Sequence, residues 1–158
     1  ATLYFEPKGG SSARAKVDSI TLDAEGKGTF KVPVESSGSW TVSVEGSWSR
    51  AAGESAPAAT TVRYAVTAEA SATKVAVGTP ITITGTVSPG IEGTAVTVQR
   101  RSTTGAWRDV ATTTTIAGGK VSTTVKPTVE GEVSYRLLVP ASAVIAQGVS
   151  ARLVITVG

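Results

Sequence analysis

The side chains that most often carry enzymatic chemistry are largely missing from this 158-residue chain. It contains no His and no Cys, which removes the usual general base, the usual activator of a serine nucleophile and the commonest metal ligands. A Ser-Lys dyad is permitted by composition, but no motif brings the two types together. The carboxylates fall mostly at strand ends, in turns and on wet faces, so no pair flanking one glycosidic bond is expected. Asp23-Ala24-Glu25-Gly26 offers two carboxylates that could ligate calcium. Such a site takes six or more oxygens, and no further Asp and no Asn lies nearby. A hairpin turn accounts for the same residues, with Asp23 capping and Gly26 or Gly28 at positive φ. No catalytic residue, metal or cofactor is assigned.

The aromatic residues leave one opening for binding. Trp40 is in phase with Val42 and Val44 and is expected in a core, and Trp107 follows Gly105-Ala106 at the start of a strand. Trp48 lies beyond the alternating run, in Gly46-Ser47-Trp48-Ser49-Arg50. Trp48 with Arg50 is the candidate binding pair, an indole that could stack on a sugar or enter a partner. The competing reading has Trp48 folding over the end of its own sheet. Net charge is +3 with a pI near 9.4, and the basic residues are scattered except for Arg100-Arg101 and Arg108. Nucleic-acid binders concentrate charge on one face with aromatics interleaved, so no nucleic-acid partner is expected. Thr112-Thr113-Thr114-Thr115 reads as a polar edge strand, with O-glycosylation as the functional alternative.

The elements that must position these residues follow a period of two. Ile81, Ile83 and Val87 alternate with Thr82, Thr84 and Thr86, and Val133, Tyr135, Leu137 and Val139 alternate with Ser134, Arg136 and Leu138. Phe30, Val32 and Val34 alternate with Lys31 and Pro33; Trp40, Val42 and Val44 alternate with Thr41 and Ser43. Each pattern buries one face and wets the other, as in antiparallel sheets. Nothing repeats at helical spacing, and Gly53 and Pro57 break the Ala-rich stretch at 51–59. No stretch is long and apolar enough for a membrane helix, so no membrane insertion is expected.

An internal repeat sets the expected architecture. Gly28-Thr29-Phe30-Lys31-Val32-Pro33-Val34 aligns with Gly119-Lys120-Val121-Ser122-Thr123-Thr124-Val125. After each comes a glycine, Gly38 or Gly131, and then an aromatic-bearing strand containing Trp40 or Tyr135. The second unit, 73–158, is expected to hold seven strands at 74–77, 81–87, 95–100, 107–114, 121–125, 133–139 and 153–157. The first, 1–66, is expected to hold five, at 2–6, 16–22, 29–34, 40–44 and 61–66, with a short linker at 67–72. The expected fold class is all-β: two tandem immunoglobulin-like Greek-key β-sandwiches, the first lacking its opening two strands. A chain that begins at Ala1 without Met reads as a processed or excised piece.

Several of these segments resemble the bacterial immunoglobulin-like repeats of secreted and cell-wall proteins of high-GC Gram-positive bacteria. They are Gly85-Thr86-Val87-Ser88-Pro89, Val96-Thr97-Val98-Gln99-Arg100, Gly105-Ala106-Trp107-Arg108, Tyr135-Arg136, Leu22-Asp23-Ala24-Glu25-Gly26-Lys27-Gly28-Thr29-Phe30 and Ser37-Gly38-Ser39-Trp40. The resemblance implies a non-enzymatic spacer, stalk or adhesion module of an exported protein, extracellular or attached to the cell wall. The alternative is a carbohydrate-binding accessory module of a secreted hydrolase, with a glycan at Trp48. The family shares no catalytic residues, so no site is carried over. Five strands would leave a core face and a strand edge of the first unit open around Phe5, Phe30 and Val32. Another protein chain, or a cleaved upstream segment, is the expected partner there.

Overall fold

The structure, a computed structural model, describes residues 1–10 and 13–158. These residues are all-β: apart from a short 3-10 turn at Ala117–Gly119, every regular element is a strand. They form two compact units. Unit 1 comprises Ala1–Val62 with Ser142–Ala146, and unit 2 comprises Arg63–Ala141 with Gln147–Gly158.

Unit 1 is one antiparallel sheet. Its strands are β1 (Thr2–Pro7), β2 (Ala15–Ser19), β3 (Gly38–Val44), β4 (Gly53–Glu54) and β5 (Ala58–Thr60), in the order β2-β1-β3-β4, with β5 also paired to β3. The β1–β3 register sets Leu3 opposite Val42 and Phe5 opposite Trp40. Alternation therefore gathers these apolar side chains on one face. The Phe5 and Trp40 rings pack with centroids 4.5 Å apart. Phe5 lies against Gly38, where a Cβ would come within 2.5 Å of two of its ring carbons. Leu3 is buried, but Phe5 and Trp40 are only half-buried. The core position expected for Trp40 is thus only partly realised, because among the described residues no second sheet covers this one. A segment distant in sequence completes the unit. Ser37 N donates to Val144 O (2.7 Å), Ala146 N donates to Val62 O (2.8 Å), and Ile145 is buried.

Residues 29–34, expected to be a strand, form none. Their apolar positions alternate as read, and Phe30 and Val32 are half-buried. Period two reports which side chains turn inward; a ladder also needs a neighbouring backbone.

Unit 2 has two sheets, and its fold is sandwich-like. Its strands are β6 (Ala65–Ala70), β7 (Lys74–Val75), β8 (Ile81–Ser88), β9 (Ala95–Arg101), β10 (Trp107–Thr114), β11 (Lys120–Val125), β12 (Gly131–Val139), β13 (Gly148–Val149) and β14 (Leu153–Val157). One sheet runs β11-β8-β6. The other runs β10-β9-β12-β14-β7, with β13 on β12. All pairs are antiparallel except β14–β7. Alternate residues from both sheets are buried: Ile81, Ile83 and Val87 on β8, Val96 and Val98 on β9, Val133, Tyr135, Leu137 and Val139 on β12, and Ile155 and Val157 on β14. Those on β8 and β12 are the residues that the alternation marked as inward.

The stretch at 61–72 differs from its reading as a closing strand and a linker. Thr61–Arg63 lies outside any strand. Ala65–Ala70 instead forms β6, paired along its whole length with β8, from Ala65↔Ser88 to Ala70↔Ile83. Val66, Ala68 and Ala70 turn inward and are half-buried. Alanine methyls bury little area, so this strand left a faint apolar signal.

Candidate functional site

Trp48 and Arg50 sit on a protruding turn of unit 1. Beyond β3 the chain reverses through Ser47–Arg50: Ser47 N donates to Arg50 O (2.8 Å) and Arg50 N donates back to Ser47 O (3.3 Å). Trp48 and Ser49 are the two tip residues, and the tip is braced by Ser49 N donating to Ser47 Oγ (3.4 Å). Gly46 lets the returning arm approach, since a Cβ there would lie 2.9 Å from Ala52 N. The Trp48 side chain is 100% exposed. It does not fold over the end of its own sheet. Arg50 is exposed as well, and among the described residues its side chain makes no hydrogen bond or ion pair. The turn offers a flat apolar ring and a free guanidinium on a convex tip. That suits stacking or insertion into another molecule, whereas an enclosing pocket would be concave.

Two further polar constellations are built across strands. In unit 1, Arg14 bonds Glu54 (2.5 Å) and Thr41 Oγ1 (3.3 Å), and its guanidinium lies 4.4 Å from the Tyr4 ring centroid. The hydrogen bond from Arg14 holds the Glu54 carboxyl below its usual range, and Glu54 in turn raises Arg14. In unit 2, Arg136 stacks 4.2 Å from the Trp107 ring centroid. Its Nε donates to Gln99 Oε1 (2.8 Å), and Gln99 Nε2 donates to Asp109 Oδ1 (2.7 Å). This row crosses β12, β9 and β10 in register. Every member has a partner within its own sheet, so both rows fix strand register and present no idle reactive group.

The remaining sequence candidates resolve into local structure. The Asp23 carboxylate accepts from Lys27 N (2.7 Å), Gly26 N donates to Asp23 O (3.0 Å), and Gly26 has φ 77°. Asp23 therefore closes a turn, and among the described residues no group of three or more His, Cys, Asp or Glu could hold a metal ion. Arg100, Arg101 and Arg108 line a cleft of about 300 Å³ together with Glu130 and Glu132. The mixed signs offset one another there, unlike a phosphate-binding surface. Thr112 and Thr114 are exposed on β10, the edge of its sheet. Thr115 is buried, its Oγ1 donating to Ile91 O (2.6 Å) and accepting from Thr94 N (2.9 Å). No protein-family model and no curated protein matches this chain.

Proposed function

We propose that this chain is a non-catalytic structural or interaction module, built from immunoglobulin-like sandwich repeats and carried by an exported bacterial protein. The strand order of unit 2 carries the reading. Counting its principal strands as β6, β8, β9, β10, β11, β12 and β14, the fifth, second and first form one sheet. The fourth, third, sixth and seventh form the other. That division places the third, sixth and seventh strands against the first, second and fifth, as in the immunoglobulin arrangement, and differs in the fourth, which there joins the first and second and here pairs with the third. Unit 1 repeats part of it: β2-β1-β3 follows the same order as β10-β9-β12. In such repeats the polar residues serve strand register, as the Arg14 and Arg136 rows do, and the module works by spacing or docking other domains.

A second reading is favoured by one observation, the fully exposed indole at the tip of the Ser47–Arg50 turn. An accessory module that stacks on polysaccharide would present such a ring. A glycan-binding screen separates the two readings. The structural module shows no reproducible binding and no difference between the parent and Trp48→Ala. Binding tighter than about 1 mM that disappears in Trp48→Ala replaces the spacer reading with the carbohydrate-binding one.

A further inference from the structure

Arg100 stands where the alternation of β9 calls for an apolar residue. Val96 and Val98 turn inward and are buried, and Arg100 follows them on the same face, half-buried. Its cross-strand partner on β12 is Tyr135, itself 2% exposed, and its partner on β10 is Arg108, a like charge. Like charges set opposite one another across a sheet cost stability unless something offsets them. Among the described residues the Arg100 guanidinium makes no hydrogen bond, and the only ion pair is Arg14–Glu54. Arg101, one residue on, lies on the opposite face, and its Nε donates to Gly105 O (3.2 Å).

Arg100 and Tyr135 meet in a cleft of about 200 Å³ between the two sheets of unit 2. Val110 and Ala111 on β10 and Val125 on β11 supply its apolar walls, and the exposed Lys126 stands at its rim. A bulge shapes the β10 side. Asp109↔Gln99 and Ala111↔Val98 are successive pairs, so Val110 has no partner on β9. Such a bulge bends an edge strand and re-aims its side chains. No Asp or Glu lines this cleft, whereas Glu130 and Glu132 line the neighbouring one that Arg100 also borders.

The Tyr135 hydroxyl is the second group there without a partner, since it makes no hydrogen bond among the described residues. No fully enclosed side-chain N or O of these residues lacks a partner. The hydroxyl therefore reaches open space, and the cleft is the space that Tyr135 borders. Burial pushes the phenol above its ordinary value, and Arg100 pulls it down less strongly. At neutral pH it is thus a protonated donor beside a fixed cation. Two donors, one of them charged, face a cleft that offers them no carboxylate, and polar groups withdrawn from water are stabilised by a partner that accepts their hydrogen bonds.

We propose that this cleft binds a small organic carboxylate, its oxygens on the Arg100 guanidinium and the Tyr135 hydroxyl and its short apolar body against Val110, Ala111 and Val125. Lys126 adds attraction from the rim. The volume lies below the roughly 300 Å³ at which pockets for drug-sized ligands begin, so the body is limited to a few carbons. A bare inorganic anion would leave the apolar walls wet, and a neutral molecule would leave the guanidinium without a counter-charge.

The test titrates the whole chain with sodium butyrate, following backbone amide shifts by NMR. Saturable binding tighter than about 10 mM is expected, with the shifts centred on Arg100, Val110, Val125 and Tyr135. Arg100→Gln should weaken binding about tenfold or more. Tyr135→Phe keeps the ring and the fold and should weaken it about three- to tenfold. Arg101→Gln, which removes an equal charge from the opposite face, should leave it within about twofold. Acetate should bind more weakly than butyrate, and butyramide more weakly still. Absence of saturable butyrate binding overturns the proposal, as does an equal loss from the two arginine variants. Butyramide binding as tightly as butyrate, or acetate binding as tightly, rules out the carboxylate contact or the apolar one and overturns it too.

Discussion

Unit 2 closes two sheets over one interior, whereas unit 1 has a single sheet. Of the buried apolar side chains among the described residues, only Leu3 and Ile145 belong to unit 1; the others belong to unit 2. Two aromatic residues show the consequence. Tyr135 on β12 is 2% exposed, while Trp40 on β3 is only half-buried. The two side chains were both read as core, and both point to the apolar face of their sheet. What differs is the layer opposite. A sheet face excludes water only when another layer covers it, so the same alternation gives a dry core in one unit and a half-wet face in the other.

Truncating one buried leucine in each unit is the most severe way to break that comparison. Leu137 is fully buried, and Leu137→Ala should cost unit 2 about 2–5 kcal/mol. Leu3→Ala should cost unit 1 less, about 1–2 kcal/mol, because its surroundings can collapse or hydrate. Denaturant titration can follow the units separately, with Trp40 reporting unit 1 and Trp107 unit 2. Equal losses would mean that unit 1 is as well packed as unit 2.

Two glycines sharpen the comparison at smaller cost. A Cβ at Gly38 would press on the Glu6 carbonyl and the Phe5 ring, and one at Gly85 would press on the Thr67 carbonyl and Leu137. Gly38→Ala is expected to destabilise unit 1 by about 2 kcal/mol, since the half-exposed Phe5 can shift but the Glu6 carbonyl belongs to the paired backbone of β1. Gly85→Ala should destabilise unit 2 by about 2–3 kcal/mol, because its neighbours are confined. Thermal melts of the two variants check the order, and a larger loss at Gly38 would reverse the assignment of rigidity.

The smallest effect is confined to alkaline pH. Burial pushes the Tyr135 phenol above its ordinary value near 10, with Arg100 pulling less strongly the other way. The folded state then keeps its proton longer than the unfolded chain does. This contribution is therefore constant below pH about 10 and is lost as pH rises beyond it. Tyr135→Phe should flatten that decline in unit 2. An unchanged alkaline profile in the variant would show that the phenol ionises equally well in both states.

The sequence by itself determined the all-β class and the inward side of several strands. It also located the turn at Asp23 and the position of Trp48 outside the alternating run. These are local properties, set by side-chain period, turn chemistry and β-branched composition. Tertiary structure alone decided which backbones pair. It turned Ala65–Ala70 into a partner of β8, drew Ser142–Ala146 into unit 1, and left 28–36 outside any ladder among the described residues. It also settled that Trp48 stands fully in solvent. The reason is physical: a strand's inward face is written in its own residues, but its hydrogen bonds belong to whatever chain lies about 4.8 Å away, and that neighbour can come from anywhere in the sequence.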